Sequence, residues 1–155
     1  MQKYEYLDHS TMNNYYSEVV RQMTNSGFIP DVVIAPMRGG ADFGIKLSNY
    51  YNIPFIPIIW QTRDGREKDV DSYVSILHEW RDSSILLVDD ICDSGKTLNE
   101  LIALAEVELL TEFRVAVAIE NLESDVQIDY SAREIIRSED EQWFIFPWEE
   151  WWKGK

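Results

Sequence analysis

The chain has 155 residues, enough for one domain with a substantial core. Hydrophobic residues make up 45% and aromatics 13%, with no apolar run of membrane-spanning length, so a soluble globular protein with no membrane partner is expected. The formal net charge of −14 argues against a nucleic-acid partner, because holding a phosphate backbone requires basic patches.

The start, Met1-Gln2-Lys3-Tyr4-Glu5-Tyr6, has no apolar signal-peptide core. Ser10 or Thr11 is placed to cap a first helix. Met12, Tyr15, Tyr16, Val19, Val20 and Met23 fall on one face of it, and Asn25-Ser26-Gly27 ends it. Asp31 to Ala35 reads as a short apolar strand, followed by the turn Pro36-Met37-Arg38-Gly39-Gly40 and a helix from Ala41 to Tyr51. Asn52-Ile53-Pro54 breaks that helix, and Phe55 to Trp60 is another apolar strand. Gln61 to Asp71 is polar and charged, which predicts a mobile loop, and Tyr73 to Leu77 reads as a further strand.

The most informative stretch follows. Ile85 to Val88 reads as a buried strand that ends in the adjacent carboxylates Asp89 and Asp90. Asp93 comes three residues after them, and Ser94-Gly95-Lys96-Thr97 then opens a helix running from about Thr97 to Leu110. The first turn of a helix has unpaired N–H donors and partial positive charge, so such a loop can wrap a phosphate. Carboxylates beside it suit sugar hydroxyls or a divalent metal. The combination describes a site for a phosphorylated sugar. A nucleoside-triphosphate loop is excluded, because the first glycine of Gly-x4-Gly-Lys-Ser/Thr is replaced by Asp90. The single Cys92 cannot form an internal disulfide, which points to a reducing cytoplasm; within this loop it reads as a small space-filling residue. Arg114 to Ile119 is the next buried strand. The tail from Leu122 to Lys155 lacks helical periodicity and is rich in Trp, so short strands and loops covering the site are expected. Strands alternating with helices predict an α/β fold with a doubly wound parallel sheet, whose ligand sites lie at the carboxyl ends of the strands.

The pattern of apolar strand, two acids, two variable residues, an acid and a small-residue loop ending in Thr97 resembles the phosphoribosyl pyrophosphate (PRPP) signature of type I phosphoribosyltransferases. The resemblance covers about Asp31 to Ile119. It implies a single phosphoribosyltransferase domain over residues 1–155, with residues 122–155 forming a small hood. It also implies that Asp89 and Asp90 bind the ribose hydroxyls and Mg²⁺. Ser94, Gly95, Lys96 and Thr97 would hold the 5′-phosphate, and Asp93 would contact N7 of a purine as general acid/base. Met37-Arg38-Gly39-Gly40 resembles the family's pyrophosphate loop, which commonly contains a non-proline cis peptide, here expected at Arg38–Gly39. Gln61 to Asp71 sits where the family has a catalytic loop. Its usual Ser-Tyr pair is missing, leaving Arg63, Arg66 and Lys68 as candidate pyrophosphate contacts.

The tail segment Glu141-Gln142-Trp143-Phe144-Ile145-Phe146-Pro147-Trp148-Glu149 resembles the hood of bacterial xanthine–guanine phosphoribosyltransferases, with Trp143 five residues before Trp148. In that resemblance Trp143 stacks on the base and the Phe144 backbone reads its edge. One departure matters. Where purine-specific relatives carry a Lys that donates to O6, this chain has Glu120-Asn121. A carboxylate there suits an exocyclic amine, unless Asn121 donates through its amide. The expected activity is a purine phosphoribosyltransferase joining PRPP to guanine, hypoxanthine or xanthine with release of pyrophosphate. An aminopurine or another base is the enzymatic alternative, and a PRPP-sensing regulatory protein is the non-catalytic one. A homo-oligomer, dimer or tetramer, is expected. The acid-rich runs from Glu100 to Glu112 and from Glu139 to Glu150 read as solvated faces. Backbone amides, a few Lys/Arg and bound Mg²⁺ must therefore reverse the local field for a polyanionic substrate.

Overall fold

The computed structural model describes residues 1–60 and 68–153. Its centre is a parallel sheet of β2 (Val32–Met37), β3 (Phe55–Ile59), β4 (Ser84–Cys92), β5 (Glu112–Asn121) and β6 (Tyr130–Ile135), in the order β3-β2-β4-β5-β6. Strand residues alternate between two cores, as the two-residue period of a strand requires. Val33, Ala35, Leu86, Val88, Ala116 and Ala118 face one side. They pack with Met12, Tyr16, Val19 and Met23 of α1 (His9–Ser26) and with Phe43 and Leu47 of α2 (Ala41–Tyr51). Val32, Ile34, Ile85, Leu87, Val115 and Val117 face the other. There they meet Tyr73 and Leu77 of α3 (Val70–Trp80) and Leu98, Leu101 and Ala105 of α4 (Lys96–Val107). Both faces are thus covered by helices, which is why these strands read as near-continuous apolar runs. Among the described residues no helix is long and apolar enough to cross a membrane.

The structure corrects three local expectations. The first helix is capped by Asp8, whose carboxylate accepts from the Thr11 amide at 2.7 Å, so it starts ahead of Ser10 and Thr11. It ends at Gly27 in the left-handed region, as the Asn-Ser-Gly signal indicates. The Tyr73–Leu77 segment is helical. Asp69 caps α3 by accepting from the Ser72 amide at 3.1 Å, and Tyr73 and Leu77, four apart, form its buried stripe. The cis peptide lies one bond earlier than expected, at Met37–Arg38. The expected loop at Gln61 to Asp71, with Arg63 and Arg66, lies mostly outside the described residues. Lys68 is described and pairs with Glu100 at 2.7 Å, so its ammonium is directed towards α4.

The tail is built as short strands and loops. β7 (Trp143–Ile145) pairs in parallel with β1 (Tyr4–Tyr6) in a separate two-stranded sheet, with Tyr4 opposite Trp143 and Tyr6 opposite Ile145. Arg133 of β6 fixes this unit to the domain. Its guanidinium makes a bidentate pair with Glu5 at 2.7 and 3.0 Å and lies 4.9 Å from the Phe144 ring centroid. The amino terminus, unassigned from sequence, thereby becomes the support of the hood.

Candidate active site

A cleft of about 580 Å³ opens over the carboxyl ends of β2 and β4, with the hood as its opposite wall. Its volume suits a small-molecule substrate. Because β2 and β4 are neighbours, the turn after β2 and the acidic end of β4 meet directly. A Cβ on Gly39 would lie 2.8 and 2.9 Å from the two Asp90 carboxylate oxygens, and one on Gly40 would lie 2.8 Å from the Val88 carbonyl and 2.9 Å from the Ala35 Cβ. The paired glycines thus allow the loop to sit against the carboxylates. Gly40→Ala is expected to destabilise the protein by ~1–3 kcal/mol, because backbone blocks the added methyl. Denaturant melts check this, and an unchanged midpoint would show that the loop relaxes freely. Arg38 projects from the same turn, is exposed and lines the cleft.

Asp89 and Asp90 carry an electrostatic strain that the fold compensates only in part. Burial, followed by the neighbouring Asp90 charge, pushes the Asp89 carboxyl well above its usual range. Asp90 is raised to about 6, chiefly by burial, with the Glu149 charge of the hood adding to it. Hydrogen bonds from the Asp90 and Ile91 amides, at 2.9 and 2.7 Å, offset only part of this. Such a site favours a cation. Among the described residues no group of three or more His, Cys, Asp or Glu side chains could hold a metal. Two hard oxygen donors without a complete protein cage suit Mg²⁺, which binds through one or two carboxylates plus substrate phosphates.

The Ser94–Thr97 loop, the candidate phosphate cradle, lies beside them. Gly95 takes φ 82°, a left-handed conformation suited to glycine, and caps α4 without a side-chain hydrogen bond. Ser94 and Lys96 are exposed, Thr97 is half-buried, and all three line the cleft with Gly95. Cys92 is buried, and burial raises its thiol, consistent with a filler role.

The sequence-predicted base site divides. Trp143 and Phe144 both line the cleft, Trp143 with 39% of its surface exposed and Phe144 buried. Glu120 is not among the cleft residues; its carboxylate accepts from the Ser131 hydroxyl at 2.6 Å. Asn121 does not line the cleft either. Its amide donates to the Asp93 carbonyl at 3.0 Å and accepts from the Glu123 and Arg137 amides at 3.2 and 3.1 Å, so it braces the Asp93 loop. Sequence reasoning missed Arg137. It lies just after β6, lines the cleft, and grips both Asp93 oxygens through Nε and Nη2 at 2.9 Å each. Nothing in its local sequence marks it: it is one of four cations in an acidic tail, with Arg133 four residues before it.

A family profile described as "Phosphoribosyl transferase domain" matches residues 5–153. Among solved structures the chain is similar to the purine phosphoribosyltransferase from Pyrococcus horikoshii Ot3. The identity is 25%, with 97% of this chain and 95% of that chain covered, at a TM-score of 0.74. It shares its fold with the Helicobacter pylori xanthine-guanine-hypoxanthine phosphoribosyltransferase, at 18% identity, 99% and 97% coverage and a TM-score of 0.73. No curated protein matches. The match runs along almost the whole chain, through the parallel sheet, the acidic strand end and the Ser94–Thr97 loop before α4, and this chain belongs to the phosphoribosyltransferases.

Proposed function

We propose that this enzyme transfers the phosphoribosyl group of PRPP to a purine, forming a nucleoside 5′-monophosphate and pyrophosphate with inversion at C1′. The observation that carries the reading is the convergence in one cleft of the Asp89–Asp90 pair, Asp93, the Ser94–Thr97 loop, Arg38 and Trp143. The 5′-phosphate would sit on the amides at the start of α4, with Lys96 and the Thr97 hydroxyl beside it. The ribose hydroxyls would lie against Asp89 and Asp90, the residues that would also hold Mg²⁺. When bound there, the metal would supply charge neutralisation to the leaving pyrophosphate. Arg38 and the Gly39 backbone would face the same leaving group, while Gly40, buried and outside the cleft lining, supports the turn from behind. Trp143 gives the base a flat apolar surface, and the Phe144 backbone in β7 offers its edge polar partners. Asp93 accepts the proton from the base as the new bond to C1′ forms.

Glu120 stands apart from the cleft, so the reason to favour an aminopurine is gone, and guanine, hypoxanthine or xanthine is the preferred substrate class. Incubation with PRPP, Mg²⁺ and a panel of bases, with the nucleotide identified by mass, tests the reading. Formation of a pyrimidine nucleotide, or of none, would overturn it. Thr97→Val should raise the KM for PRPP about 10-fold or more and leave that for the base nearly unchanged, because one hydrogen bond to a charged group is worth ~1.5–3 kcal/mol. Equal effects on both substrates would remove Thr97 from the phosphate cradle.

A further inference from the structure

We propose that Arg137 is a specificity-determining residue for a 6-oxopurine, taking the part of the donor that Glu120 and Asn121 do not supply. The inference rests on the purine reading above. The purine nitrogen that attacks C1′ must present its lone pair, so the imidazole proton resides on N7. That N–H and the substituent at C6 lie side by side on one edge of the ring. A protein that reads this edge needs an acceptor beside a second group whose polarity matches the C6 substituent.

The Asp93–Arg137 pair has that arrangement. Asp93 lines the cleft, and its carboxylate oxygens are acceptors. Arg137 is held against them, with Nε on one oxygen and Nη2 on the other, both at 2.9 Å. Nη1 is fixed by the Gln142 carbonyl at 2.6 Å and the Asp140 carbonyl at 3.2 Å. The guanidinium lies 5.6 Å from the Phe144 ring centroid, next in sequence to Trp143. These contacts fix its plane and leave the second hydrogen of Nη2 without an acceptor among the described residues. An acceptor and a donor therefore stand side by side. That pattern complements N7–H next to a C6 carbonyl and opposes N7–H next to a C6 amine, which would set donor against donor. Asn121 supports the pair from behind, through the Asp93 carbonyl and the Arg137 amide, at 3.0 and 3.1 Å.

The test uses the full chain as wild type, Arg137→Gln and Arg137→Lys. Two readouts are taken: initial rates with hypoxanthine and adenine at saturating PRPP and Mg²⁺, and the affinities of two product nucleotides, inosine 5′-monophosphate and its analogue with hydrogen at C6. Wild type should bind the 6-oxo nucleotide roughly 10- to 100-fold more tightly than the analogue, the range for a hydrogen bond to a charged group. Arg137→Gln should abolish most of that gap by weakening only the 6-oxo nucleotide, and should lower the hypoxanthine-to-adenine rate ratio by a similar factor. Arg137→Lys should retain part of both. A gap that survives in Arg137→Gln, or an equal loss for both nucleotides, would show that Arg137 only braces Asp93. If Arg137→Gln does not fold, the wild-type comparison still decides, since equal affinity for the two nucleotides overturns the assignment. A wild type that binds PRPP but forms no purine nucleotide overturns the purine reading as well. A wild type active on hypoxanthine whose base preference survives in the variants overturns the role of Arg137 alone.

Discussion

Asp93→Asn should lower kcat with the true base by about 10²–10⁴-fold, the range for losing a positioned acid/base group. The affinity for PRPP should change little. The side chain keeps its size, and the bond from the Asn121 amide goes to the Asp93 backbone carbonyl, so it is preserved. Two things are lost. The new amide is a poor proton acceptor, and its NH2 turns a donor towards the Arg137 guanidinium, which now meets a carboxylate oxygen on each of Nε and Nη2. Single-turnover measurements with saturating PRPP isolate the chemical step. Unchanged kcat would take Asp93 out of proton transfer and leave it as an anchor for Arg137.

The second large effect couples stability to function. Asp90→Asn should abolish most PRPP-dependent turnover while making the metal-free protein more stable at neutral pH. The sign follows from the folded-state shift. Asp90 is raised from 3.8 to about 6, so the folded protein binds this proton more tightly than the unfolded chain does. As pH climbs from 3.8 to about 6 the unfolded state releases the proton first. Folding stability therefore falls across that window and stays lower above it, by ~1–3 kcal/mol. Asparagine removes the buried charge and relieves Asp89, whose carboxyl is raised in part by the Asp90 charge. Thermal melts in chelator between pH 4 and 8, an experimental range of about four units chosen around the titration, should show wild type losing midpoint temperature with rising pH and the variant staying flatter. Added Mg²⁺ with PRPP should restore wild type and not the variant. Parallel melting curves would mean that the carboxylate pair is hydrated well enough to carry its charge without cost. A site that is destabilising when empty and stabilised by its substrate is a common form of the trade between stability and activity.

Much of the site was legible from residues 85–97 alone, because its chemistry is contiguous. An apolar run between polar segments marks a buried strand, its end places the carboxylates at the ligand edge of a parallel sheet, and Ser-Gly-Lys-Thr starts the next helix. The Met37–Gly40 turn was legible for the same reason. What depended on distance along the chain was not. Arg137 and Asp93 are 44 residues apart, and only the return of β6 beside β5 brings them together. Lys3 and Trp143 are joined by a backbone bond of 2.8 Å because β1 pairs with the tail, a contact no local pattern announces. Glu120 and Asn121 show the limit most clearly. Their types and position were plain in the sequence, as was the missing lysine. Which way each points depends on strand register, because adjacent residues face opposite sides of a sheet. Register and the β6 return directed the Glu120 carboxylate to Ser131 and occupied the Asn121 amide behind Asp93. The sequence by itself determined the fold class and which carboxylates and loop would stand together at the end of β4, since these lie in short uninterrupted segments. Only the tertiary structure decided which side chain stands beside Asp93 in the cleft, since that contact forms between elements whose spacing no local pattern encodes.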